Sequence, residues 1–140
     1  MVSATVIRAE AAQVVQHQPL VAVFTSGTAI GDYTLRALAT NCATNGGKAL
    51  RAYIIGRKRE RVEALIRDLR VIYPGGEYEF IKTGDLSLLK DIDEACAKVI
   101  AAEQKHGDDA RIDYLMLSHG GAIFLPRRGK LPTLEIYRVK

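Results

Sequence analysis

Residues 20–34, Leu-Val-Ala-Val-Phe-Thr-Ser-Gly-Thr-Ala-Ile-Gly-Asp-Tyr-Thr, carry the strongest chemical signal in the chain. An apolar run passes into a turn of small residues and then into a helix start. The first turn of a helix has N–H groups with no internal partner and lies at the positive end of the helix dipole, so it holds anions such as phosphate. Gly27 and Gly31 give a ligand room to approach the backbone. Arg57 and Lys58 follow the second apolar run. In a dinucleotide site an acidic residue at that point binds the ribose hydroxyls, whereas an arginine meets a 2′-phosphate. Arg57 with no acidic neighbour therefore favours NADP(H) over NAD(H); the alternative is a plain surface charge. Asp85 and Leu86 follow the third apolar run and suit an adenine contact, although Asp85 equally suits a helix cap. Leu117-Ser118-His119-Gly120-Gly121 ends the fourth run. There His119 is either an acid–base group or an ordinary loop residue.

These positions are useful only if the elements between them bring them to one edge. Strands are expected at 20–25, 50–55, 78–82 and 112–118, each a short apolar run bounded by turn residues. Helices are expected at 3–16, 31–44, 58–72 and 87–105. Tyr33, Leu35, Ala37 and Leu38 provide the apolar surface of the second helix, and Val62, Leu65, Ile66 and Leu69 that of the third. In the fourth, Ser87 is the expected N-cap, and Leu88, Leu89, Ile92, Cys96, Val99 and Ile100 form the inner stripe. Strands alternating with helices indicate βαβ units and a parallel sheet. The expectation is an α/β chain with a Rossmann-type three-layer fold: a truncated parallel sheet of order 3-2-1-4 with helices on both faces. Residues 1–19 then form a helical extension, 20–125 a partial NAD(P)-binding domain, and 126–140 an irregular tail whose last residues alternate like a short edge strand.

Composition fits one domain of 140 residues, with 48% hydrophobic and 26% charged side chains. No apolar run is long enough for a membrane span, and no basic region precedes an apolar block at the N-terminus, so a cytoplasmic protein without membrane contact is expected. Cys42 and Cys96 lie far apart, outside any metal-ligand spacing, and read as buried or half-buried free thiols in a reducing compartment. No metal site is expected. The net charge of +4 is concentrated between Arg57 and Arg70, but Glu60, Glu63 and Asp68 interrupt it and no aromatic residue is interleaved for stacking. A solvated helix face, not a nucleic-acid surface, is the expectation.

The blocks Val21–Phe24, Ile30–Thr34, Tyr53–Arg57, Tyr73–Ile81, Asp85–Ser87 and Asp113–Gly120 occur in an order and spacing that resemble the N-terminal half of a short-chain dehydrogenase/reductase, in the style of fungal members. The resemblance covers about residues 20–125. It implies NADP-dependent oxidation or reduction of a carbonyl or alcohol on a small molecule in specialised (secondary) metabolism. It also implies cofactor binding by Thr25, Gly27, Ala29, Ile30, Gly31, Arg57, Lys58, Asp85, Leu86, Ser118 and Gly120. The family's glycine-rich turn maps to Thr25, Ala29 and Gly31, so its first two glycines are replaced, Ala29 being the milder change. Its Asn-Asn-Ala-Gly segment maps to Leu117, Ser118, His119 and Gly120, without the amide side chains. The family's Ser, Tyr and Lys catalytic group would lie beyond the fourth strand, where Tyr137 and Lys140 stand three apart and the family needs four. No catalytic residue is therefore assigned. The alternative is a truncated, inactive remnant that holds a nucleotide or a partner. The strand at 112–118, interior in the family, would then offer an edge for self-association or a partner subunit.

Overall fold

The computed structural model describes residues 3–25, 29–107 and 111–118. Four parallel strands form one sheet in the order β3-β2-β1-β4: β1 (Leu20–Phe24), β2 (Leu50–Gly56), β3 (Glu77–Lys82) and β4 (Tyr114–Met116). Leu20 pairs with Leu50, Arg51 with Glu77 and Ala22 with Tyr114. All the strands run the same way, so their C-terminal ends share one edge. The expected α/β fold and sheet order are those observed.

Between the strands lie α1 (Ala4–His17), α2 (Ile30–Thr44), α3 (Arg59–Ile72) and α4 (Leu89–Glu103). Every residue of β1 is buried, and successive side chains serve opposite faces. Leu20, Ala22 and Phe24 join Leu50, Ala52 and Ile54 under α2 and α3. Val21 and Val23 join Tyr53, Ile55 and Ile81 under α4. The continuous apolar sequence of β1 thus fills two cores at once, which is why it shows no polar alternation, whereas β3 (Glu77–Lys82) alternates.

The third helix buries the four residues its spacing indicates, Val62, Leu65, Ile66 and Leu69. In α2 the buried face is Gly31, Leu35, Ala39 and Cys42; Tyr33 and Ala37 face solvent. The fourth helix departs further. Its buried residues are Ala95, Val99, Ala102 and Glu103, while Leu88, Leu89, Cys96 and Ile100 are exposed. The small side chains let α4 approach the sheet closely, and the pairing of Glu103 with β2 sets its rotation. Ser87 is not the N-cap: Leu88 holds that place with no side-chain bond, and the Ser87 N–H instead donates to Asp85 Oδ1 at 3.0 Å.

The leading helix is docked, not free. Ser3 Oγ caps it by accepting from Val6 N at 3.3 Å, and Val15 enters the core beneath α2 and α3. Asn41 Nδ2 on α2 donates to Ala11 O at 2.8 Å. Between α2 and α3, Arg36 bridges Asp32 and Asp68.

Candidate functional site

The C-terminal edge of the sheet gathers most of the expected site residues. Thr25 directly follows β1 and is buried. Its hydroxyl donates to Met116 O at 3.2 Å and accepts from Ser118 N at 3.1 Å, while its own N–H also donates to Met116 O at 3.0 Å. Thr25 thus fastens β1 to the end of β4. The Ser118 Oγ is buried with no hydrogen-bond partner among the described residues.

Ala29 is the N-cap of α2 and takes φ 50, ψ −117. It is the one described non-glycine residue with positive φ. Few L-residues adopt that conformation, whereas glycine does so freely. The replacement of a glycine here is therefore not a mild change. Ile30 opens the helix with its side chain 67% exposed, and Gly31 is buried behind it. The N-cap Ala29 has no side chain that could accept from the first N–H groups of α2. Gly27, His119, Gly120, Tyr137 and Lys140 lie outside the described residues.

On the neighbouring strands, Arg57 and Lys58 follow β2 with both side chains exposed, and Lys58 stands at the N-cap of α3. Asp85 follows β3, whose end is held to β2 by Thr83 N donating to Gly56 O at 3.1 Å. The Asp85 carboxyl is held below its usual range by the Ser87 backbone N–H first, then by the Ser87 side chain, with the charge of Arg57 acting in the same direction. Arg57 and Asp85 therefore feel each other across the β2–β3 ends. Asp85 closes a local turn and does not cap α4; its own N–H donates to the Asp91 carboxylate on α4. Leu86 is half-buried against the Val21–Val23–Tyr53 cluster, so part of its side chain serves the core.

Two features escaped the sequence reading. Arg59 lies over the Phe80 ring, 5.1 Å from its centroid, and adds a third cation beside Arg57 and Lys58. Tyr78 and Lys82 have the four-residue spacing of a Tyr–Lys pair. They lie on β3, however, with Tyr78 buried and its hydroxyl donating to Tyr73 O at 3.4 Å, so they form no acid–base group.

The arrangement can present helix N–H groups to a phosphate and cations to a second one; the donors fit a nucleotide bearing both. Among the described residues no cluster of His, Cys, Asp and Glu could hold a metal, and no helix is long and apolar enough to cross a membrane.

Comparison with known proteins agrees with the topology. The chain is 40% identical over 139 residues to the short-chain dehydrogenase/reductase SAT2 of Stachybotrys chartarum, covering 96% of this chain and 38% of that protein. It is 31% identical over 122 residues to the oxidoreductase AN1596 of Emericella nidulans, covering 86% of this chain and 33% of that one. It is 32% identical over 108 residues to the oxidoreductase andH of Emericella variicolor, covering 76% and 28%. No family model and no solved structure matches it. The chain spans only 28–38% of the length of these relatives. In sequence over 76–96% of its length, and with a parallel sheet of order β3-β2-β1-β4, the chain is similar to part of these fungal proteins, one named a short-chain dehydrogenase/reductase and two named oxidoreductases.

Proposed function

We propose that the chain binds NADPH at the C-terminal edge of its sheet, as the nucleotide-binding part of a cytoplasmic oxidoreductase acting on a carbonyl or alcohol in fungal secondary metabolism. The observation that carries the cofactor choice is Arg57, exposed directly after Gly56 at the end of β2, with Lys58 and Arg59 following and no acidic residue adjoining it. In this reading the N-terminus of α2 receives the pyrophosphate, Arg57 and Lys58 take the 2′-phosphate, and Asp85 with the exposed part of Leu86 borders the adenine. The nicotinamide cofactor, when bound, supplies the hydride; these residues bind and orient it. A guanidinium–phosphate pair is charge-assisted and worth about 1.5–3 kcal/mol, or about ten- to a hundredfold in affinity. Titration of wild type and Arg57→Ala with NADPH and NADH is the test. A preference for NADPH that Arg57→Ala abolishes is expected; equal affinities in wild type refute the assignment.

A second reading, a chain that holds a nucleotide or a partner without turnover, draws support from Tyr78. It has a lysine four residues on, Lys82, and it is buried in the sheet. Under that reading NADPH is bound but not oxidised in the presence of ketones. The β4 edge suits self-association or a partner subunit, because Ile112, Tyr114, Leu115 and Leu117 are exposed there. Light scattering over a concentration series reports it.

A further inference from the structure

Charged groups also gather at the N-terminal ends of β2 and β3, opposite the strand ends that Arg57 and Asp85 follow. Arg51 pairs in register with Glu77, and Tyr53 with Glu79. Alternation along each strand puts these four side chains on one face of the sheet. It is the face under α4, because Arg51 and Tyr53 both reach Glu103 at the end of that helix. With Arg70 on α3 and His106 in the turn after α4, they line an open cavity of about 370 Å³. That volume is enough for a small molecule. The charges around it are only partly matched. Arg51 pairs with buried Glu103, and His106 Nε2 lies 3.6 Å from Glu77 Oε2. Arg70 and Glu79 line the same cavity, yet neither makes a hydrogen bond or ion pair among the described residues. The bonds from Arg51 to Glu103 use Nε and Nη2, which leaves Nη1 with both of its donors. Those bonds also fix the guanidinium, so its spare donors are oriented before any ligand arrives.

We propose that this cavity binds a small zwitterion, a free α-amino acid, with its carboxylate on Arg51 Nη1 and Arg70 and its ammonium on Glu79. A simple anion would leave the Glu79 charge unmatched beside it, and a simple cation would leave Arg70 and the spare Arg51 donors unmatched. A ligand carrying both signs on one carbon answers both at once. Glu79 stands two residues along from Glu77, the register partner of Arg51, so Arg51 and Glu79 are diagonal neighbours on one face and one short ligand reaches both. Glu77, shared with His106, adds a second carboxylate beside the ammonium. The site does not depend on the nucleotide reading, since Arg57 and Asp85 lie at the other ends of these strands.

The test is calorimetric titration of the chain with each protein amino acid in turn, taken to about 10 mM, and with the N-acetyl and methyl-ester derivatives of any that binds. At least one amino acid is expected to bind with a Kd of about 1 mM or tighter. Blocking its ammonium or its carboxylate is expected to weaken binding about tenfold or more. Glu79→Gln and Arg70→Gln are each expected to weaken it by a similar factor, about tenfold. Both positions are exposed, so the variants should fold, and the derivatives test the same two charges on the unaltered protein. Arg51 is left in place because buried Glu103 depends on it. Absence of binding by every amino acid overturns the proposal. So does equal binding of either blocked derivative, or binding that either variant leaves unchanged. Acetate binding as tightly as the amino acid would make this an anion site and overturn the zwitterion.

Discussion

Arg51 on β2 and Glu103 at the end of α4 meet as a two-point pair, Nε to Oε1 at 2.8 Å and Nη2 to Oε2 at 3.0 Å. The Tyr53 hydroxyl donates to the same Oε1 at 2.7 Å. The Glu103 side chain is only 3% exposed, and these three donors satisfy the oxygens that burial removes from water. Burial, and then the bond to Glu103, push the Tyr53 hydroxyl up from its ordinary value. Glu103→Ala leaves Tyr53 without its acceptor and Arg51 half-stranded. A loss of about 2–3 kcal/mol is expected, below the full cost of breaking a buried pair because Arg51 can still reach water. Glu103→Gln should lose less. Urea denaturation measures both.

The Thr25 hydroxyl makes a comparable junction between β1 and β4. Thr25→Val keeps the shape and removes the side-chain hydrogen bonds to Met116 O and from Ser118 N, leaving Ser118 N without that acceptor. A destabilisation of about 1–2 kcal/mol is expected, with Thr25→Ser close to wild type. Equal stability of all three proteins would show that the hydroxyl does not hold the strands together.

Alkali should loosen the fold through Tyr78. Burial pushes its hydroxyl up to about 12. The unfolded chain ionises first, near the ordinary value of about 10. The contribution is therefore whole below about pH 10 and is lost as pH rises towards 12. Melting temperature should fall across that window, and Tyr78→Phe should flatten the fall.

The two thiols should react in sequence. Cys96 is exposed on α4, whereas Cys42 is fully buried with its thiol pushed up by desolvation. A thiol reagent is expected to label one cysteine in the native protein and both in denaturant. Native labelling that persists in Cys96→Ser would place Cys42 within solvent reach.

The element order was readable because β1 and β2 are short, largely apolar runs, β3 carries its aromatic and apolar residues between turn glycines, and those signals depend only on neighbours. The third helix was readable for the same reason, its four inner residues Val62, Leu65, Ile66 and Leu69 falling at helical spacing. The rotation of α4 was not. Leu89 and Ile100 outrank Ala95 and Ala102 on hydrophobicity, yet the small residues go inward, because Glu103 must reach Arg51 and Tyr53 fifty residues away. No local pattern carries that pairing. At the candidate site, the positions of Arg57 and Asp85 followed from the strand ends. The bonded hydroxyl of Thr25 and the left-handed backbone of Ala29 did not, since both depend on where β4 and α2 are anchored. The expectation of two buried or half-buried thiols failed at Cys96 for the same reason as the α4 stripe.

The sheet is held unequally on its two sides. Beneath α2 and α3, fifteen buried residues form one apolar cluster; beneath α4 there are eight, three of them from the helix itself. The α4 layer therefore relies on the Glu103 pairing where the other layer relies on oil-like contact. Such a layer can lift away as a unit while the opposite core stays shut, and its amides should exchange with solvent deuterium well before those of α2 and α3. Because Asp91 on that same helix holds the Asp85 turn, each lifting would also release one wall of the candidate nucleotide site. Occupancy of the site and the opening of α4 would then oppose each other, and a bound nucleotide would slow deuterium uptake in a helix that need not touch it.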